Sequence, residues 1–134
     1  MDSQQAVRAV RILLCIGGVV TGSAFLTVAM PTEWMASNHE RLGLGQFPNG
    51  RIVEYLARSV SAFYGFHGVL LFVVASDPAR FKPIVIYLAA FNIIFGAMLI
   101  AIDLHAGMPT WWTISEGPSI IVIGVLLAIF GRKL

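Results

Sequence analysis

Four apolar stretches, each close to the length a helix needs to cross a bilayer, dominate this chain of 134 residues. A hydrocarbon core takes about 20 residues of helix. The stretches run from about Ile12 to Met30, Ile52 to Ser76, Pro83 to Leu104 and Trp111 to Phe130. Each ends at proline or glycine: Pro31, Asp77-Pro78, Gly107 with Pro109, and Gly131. Such residues stop helices. The expected fold is all-α, a four-helix transmembrane bundle forming one integral membrane domain over residues 1–134.

Charge supports lipid as the solvent. Charged residues make up 12% of the chain and hydrophobic residues 57%. A soluble domain carries about 25% charged residues, and half that level cannot coat a water-facing surface. The nine Lys and Arg residues form no run, which argues against nucleic-acid binding. Cys15 is the one cysteine. It excludes an intrachain disulfide and a thiolate metal cluster, and is expected to pack as a small apolar side chain.

Short loops retain Lys and Arg on the cytoplasmic side. Arg8 and Arg11 precede span one, Arg80 and Lys82 join spans two and three, and Arg132 and Lys133 follow span four. The other side holds Arg41 and Arg51, and Arg58 lies just inside span two. The asymmetry predicts both termini in the cytoplasm and localisation to the cell (inner) membrane. A competing reading makes span one a cleaved signal peptide, with Ala29 before the cut. Its apolar stretch exceeds the usual h-region of about 7–15 residues, so retention is expected. Between spans one and two, Glu33–Leu42 is expected to form a short helix on the outer interface. Trp34, Trp111 and Trp112 lie at outer boundaries, where aromatic belts form.

Small and polar residues face neighbouring helices rather than acyl chains. In span two Glu54, Arg58, Ser61, Gly65 and Gly68 recur on one stripe; in span three Asn92, Gly96, Leu99 and Asp103 do so. Span one carries the pair Gly18 and Gly22 at G-x-x-x-G spacing, and span four has Glu116, Ser119 and Gly124 on or near one side. These stripes predict helix packing surfaces, with a homodimer contact as the sharper alternative.

If the stripes face inward, Glu54, Arg58, Asp103 and Glu116 converge in the outer half of the bundle. Glu54 and Arg58 are spaced to pair along their own helix. Three acids facing one arginine leave a negative excess, which calls for water, a held proton, or a cation or basic ligand. The bland reading is a structural clasp, with Arg58 tying helices together through carboxylates. The sharp reading is a ligand or proton site.

Asn92, His67 and His105 are secondary candidates. His67 lies mid-span, His105 at the outer end of span three, and His39 in the outer loop. Haem needs two axial ligands at comparable depth, and His67 and His105 differ by roughly two turns. A zinc site from His39, Glu40 and His105 has no spacing rule behind it. No metal site or cofactor is expected. The chain lacks Walker, G-x-G-x-x-G and H-E-x-x-H motifs and a serine nucleophile elbow.

From Arg58 onward the chain resembles small four-helix bacterial membrane proteins related to the DoxX-like group. The carrying residues are Arg58, Tyr64-Gly65 and Gly68, then Gly96, Asp103, Gly107 and Pro109, and finally Glu116-Gly117. The resemblance implies a compact four-helix bundle and carries over no catalytic residue. Some DoxX-like proteins are associated with respiratory or redox membrane complexes. From the shared depth and inward stripes of Glu54, Arg58, Asp103 and Glu116, the function expected is a non-enzymatic accessory or ligand-binding subunit with a polar pocket in the outer leaflet. Its partners would be the lipid bilayer and either copies of itself or a larger membrane complex. The alternatives are a small transporter or proton-coupling subunit, with Asp103 or Glu116 as carrier, and a redox subunit binding haem or quinone.

Overall fold

The computed structural model describes residues 2–134, and their regular structure is entirely helical. The helices are α1 (Ser3–Gly22), α2 (Phe25–Ala29), α3 (Thr32–Arg41), α4 (Arg51–Ser76), α5 (Lys82–Ala106) and α6 (Thr110–Gly131). Four helical stretches are long and apolar enough to cross a membrane: Ser3–Ala29, Arg51–Ser76, Lys82–Ala106 and Thr110–Gly131. The chain is thus an all-α, multi-pass membrane protein.

The first stretch departs most from its expected bounds, because polar residues start it early. Asp2 Oδ1 accepts from the Gln5 amide at 2.7 Å, and Gln5 Oε1 accepts from the Asp2 amide at 3.1 Å. This reciprocal capping box satisfies donors that an opening helix leaves free. Ser23 and Ala24 then interrupt the stretch. There the Ala24 amide bonds to Thr21 O, an i→i−3 contact. The Thr21 hydroxyl donates to Gly17 O and the Ser23 hydroxyl to Val20 O. Such back-bonding competes with the helical ladder and bends helices.

The chain divides into two compact units. One holds the residues up to Cys15 together with Val73–Leu134. Its core includes Ala6, Val10 and Leu14, one stripe of α1, with Val74, Val85, Leu88, Ala89 and Leu127. In this unit α5 and α6 pack antiparallel on glycine. A β-carbon on Gly96 would lie 2.7 Å from Gly117 O; one on Gly124 would lie 2.9 Å from Ala89 O. Backbones this close require residues without side chains. The buried face of α6 consists of Thr113, Gly117, Gly124, Leu127 and Gly131. Glu116 is only half-buried and Ser119 is exposed, so the inward side differs from the one expected from Glu116 and Ser119. Both lie in the first half of α6, and Ser119 satisfies its hydroxyl on Glu116 O at 2.8 Å.

On its exposed side α5 carries a ladder of Tyr87, Phe91 and Phe95. The ring centroids are 6.2 and 5.3 Å apart and the planes nearly parallel. The three residues are four apart and so share one helix face.

The second unit is Ile16–Phe72. Here the G-x-x-x-G pair of α1 packs within the chain. A β-carbon on Gly68 would meet Gly22 N at 2.5 Å and Gly18 O at 2.8 Å, and one on Gly65 would strike the Phe25 ring at 2.6 Å. The α3 segment forms as expected, shifted one residue toward the N-terminus from Glu33–Leu42. It exposes Trp34 and buries Met35. In the loop that follows, Gly43 and Gly45 take φ of +72° and +85°, a region open to glycine at little steric cost.

Candidate functional site

The end of a helix leaves its last carbonyls without amide donors, and it carries partial negative charge. Three basic side chains in this protein meet that need. In the second unit the first membrane stretch ends at α2, where the Met30 amide turns back to Thr27 O at 3.3 Å and Pro31 brings no N–H. Arg58 Nη1 donates to Val28 O at 2.7 Å and to Thr27 O at 3.5 Å. In the first unit Arg11 Nε donates to Ala75 O at 3.0 Å and its Nη2 to Ser76 O at 3.3 Å, at the end of α4. Lys82 Nζ donates to Leu134 O at 2.6 Å and to Arg132 O at 3.3 Å, just beyond α6. Arg58 and Arg11 are satisfied by backbone of another membrane stretch, and Lys82 by backbone just beyond one.

Glu54 and Arg58 share the expected stripe, and the link between them runs through Thr32. Its hydroxyl donates to Glu54 Oε1 at 2.8 Å and accepts from Arg58 Nη2 at 3.5 Å. Thr32, the first residue of α3, ties α3 to α4. The sequence reading missed it because a threonine at a helix start is unremarkable by itself.

Asp103 and Glu116 belong to the first unit. Glu116 Oε2 accepts from Trp112 Nε1 at 2.8 Å, one turn back along α6. Asp103 differs from every other acid in the chain. It is 4% exposed, and its Oδ2 lacks a hydrogen-bond partner among the described residues. Thr113 is 9% exposed, and its Oγ1 is equally unpartnered. Native structures leave few buried polar atoms unpaired, so two on adjoining helices of one hairpin form a specific feature. Thr113 escaped the sequence reading because its neighbours Trp112 and Glu116 drew the polar face of α6 away from it.

The hairpin turn holds Asp103 in place. Gly107 adopts φ +68° beyond the end of α5. The Met108 amide bonds to Asp103 O at 3.0 Å and the Gly107 amide to Leu104 O at 3.4 Å. This is a Schellman closure, with Asp103 three residues before the cap. Pro109 then starts α6.

The secondary candidates lie elsewhere. Asn92 is half-buried on α5 and His105 is exposed in its last turn. His67 is half-buried in α4 and has an interaction partner. His39 Nδ1 lies 3.0 Å from Gly45 O, with its ring edge-on to Phe47. Among the described residues no three His, Cys, Asp or Glu side chains are grouped to hold a metal ion. Comparisons with family models, curated proteins and solved structures find no match to this chain.

Proposed function

We propose that this protein is a non-enzymatic accessory subunit of the cell (inner) membrane, with both termini cytoplasmic, working within a larger membrane assembly. One observation carries the reading. The cations set against membrane helices, Arg11, Arg58 and Lys82, are committed to helix-end carbonyls. Glu54 and Glu116 are bonded to Thr32 and Trp112. Ionic groups spent on fixing helix ends build a rigid apolar element and leave little for turnover. Extraction from native membranes in mild detergent tests this. The protein should migrate in an assembly of fixed stoichiometry, larger than the chain alone. A lone chain that drives solute flux in proteoliposomes would contradict it.

A second reading, ion or proton coupling, is favoured by Asp103 alone. Of the two carriers considered, Glu116 already accepts a hydrogen bond, whereas Asp103 Oδ2 does not.

A further inference from the structure

Asp103 and Thr113 each present an oxygen that the protein leaves unsatisfied. The α5–α6 register relates them. Gly96 packs on Gly117, and Ile100 also lies against Gly117, 2.4 Å from where its β-carbon would sit. Continued toward the hairpin turn, that register brings Asp103 to within about one helical turn of Thr113 across the pair. Both residues are more than nine-tenths buried and belong to the inward faces of their helices.

The electrostatics of this position call for positive charge. A buried carboxylate is strongly disfavoured unless compensated. Asp103 lies in the last turn of α5, where the helix contributes further negative potential. The basic side chains of the same unit lie at the other end of these helices: Lys82 opens α5, about 30 Å from Asp103 along the helix, and Arg11 bonds to the end of α4 beside it. The titratable neighbours on the two helices are His105, exposed in the last turn of α5, and Glu116, which accepts from Trp112. One carboxylate and one hydroxyl oxygen, with no cationic side chain, are hard oxygen donors of low total charge. That chemistry suits a small monovalent cation and falls short of the several carboxylates that a divalent ion takes.

We propose that Asp103 Oδ2 and Thr113 Oγ1 are two ligands of a site for one small monovalent cation, a proton or a sodium ion, in the α5–α6 hairpin. The site is independent of the accessory reading, since it requires only this hairpin.

Dicyclohexylcarbodiimide tests it on the full chain in lipid nanodiscs. The reagent enters apolar regions and adds to a protonated carboxyl, and mass spectrometry locates the adduct. Labelling of Asp103 should fall as pH rises. If sodium is the ion, NaCl should protect Asp103 at fixed pH relative to choline chloride of equal ionic strength. If the proton alone binds, the two salts should give the same rate. Thr113→Val keeps the carboxylate and removes one ligand. It should raise the sodium concentration for half-protection about tenfold, the loss of one charge-assisted contact. For a proton site it should shift the labelling profile along pH. Labelling of Asp103 that ignores both pH and sodium would overturn the site. So would pH and sodium responses identical in Thr113→Val and the unaltered protein.

Discussion

Arg58 Nη1 donates to the Val28 carbonyl oxygen across 2.7 Å, 30 residues away in sequence. The contact explains how a guanidinium is kept in a membrane helix: it supplies a donor to a carbonyl at the end of the first membrane stretch. Arg11 and Lys82 repeat the arrangement on other helix ends, with backbone distances of 3.0 and 2.6 Å. Unsatisfied backbone groups are costly in hydrocarbon, each by several kcal/mol. A long basic side chain reaching from a neighbouring helix answers that need and the helix dipole together.

Gly22 of α1 and Gly68 of α4, which meet across their helices, should respond differently to substitution. A β-carbon on Gly68 would press on Gly22 backbone at 2.5 and 2.7 Å, whereas one on Gly22 meets nothing within 4 Å. Gly68→Ala should therefore destabilise the detergent-solubilised protein by about 1–3 kcal/mol, the usual range for overpacking. Gly22→Ala should leave the unfolding midpoint almost unchanged. Denaturant titration followed by circular dichroism measures both.

The α5–α6 contact gives a second packing prediction. A methyl on Gly117 would lie 2.4 Å from Ile100 Cγ1 and 2.7 Å from Gly96 O. Gly117→Ala should lower the melting temperature clearly. The added variant Ile100→Ala, which removes that Cγ1, should recover only part of the loss, since the Gly96 carbonyl cannot retreat. Differential scanning fluorimetry on the single and double variants checks this.

Arg8 and Arg11 contribute equally to the positive charge before the first span, yet of the two it is Arg11 that bonds to a helix end. Arg11→Gln should reduce stability by about 1 kcal/mol, a modest figure because the side chain is exposed. Arg8→Gln should have no measurable effect. Thermal unfolding of the two variants side by side separates a capping role from net charge.

How far the sequence disclosed this structure depended on the kind of signal. Span positions were legible because twenty apolar residues in a row have few other uses, and the second to fourth spans match within about two residues. The interruption at Ser23 and Ala24 was not, since Thr21 and Ser23 bend the helix through hydroxyl bonds to backbone rather than through proline. Inward faces were legible where glycine marked them, as at Gly65, Gly68 and Gly96. Glu116 and Ser119 misled because a polar residue near a helix end can satisfy itself locally, here on Trp112 and on backbone. The expected direct pairing of Glu54 with Arg58 gave way to a link through Thr32, because backbone carbonyls, which compete for an arginine at a helix end, leave no trace in side-chain identity. Asp103 is buried, as its place on the α5 stripe implied; the burial of Thr113 on α6 had no such signal.

The central claim is that cations here serve backbone carbonyls, and a double-mutant cycle on Glu54 and Arg58 tests it most directly. Gln at position 54 can still accept from the Thr32 hydroxyl, so Glu54→Gln should change unfolding free energy by no more than about 0.5 kcal/mol. Arg58→Gln should cost about 1–2 kcal/mol, the scale of a charged hydrogen bond lost from half-buried acceptors, and by a similar amount whether residue 54 is Glu or Gln. A cost for Glu54→Gln equal to that of Arg58→Gln, vanishing when both are changed, would show an ion pair instead and contradict the account.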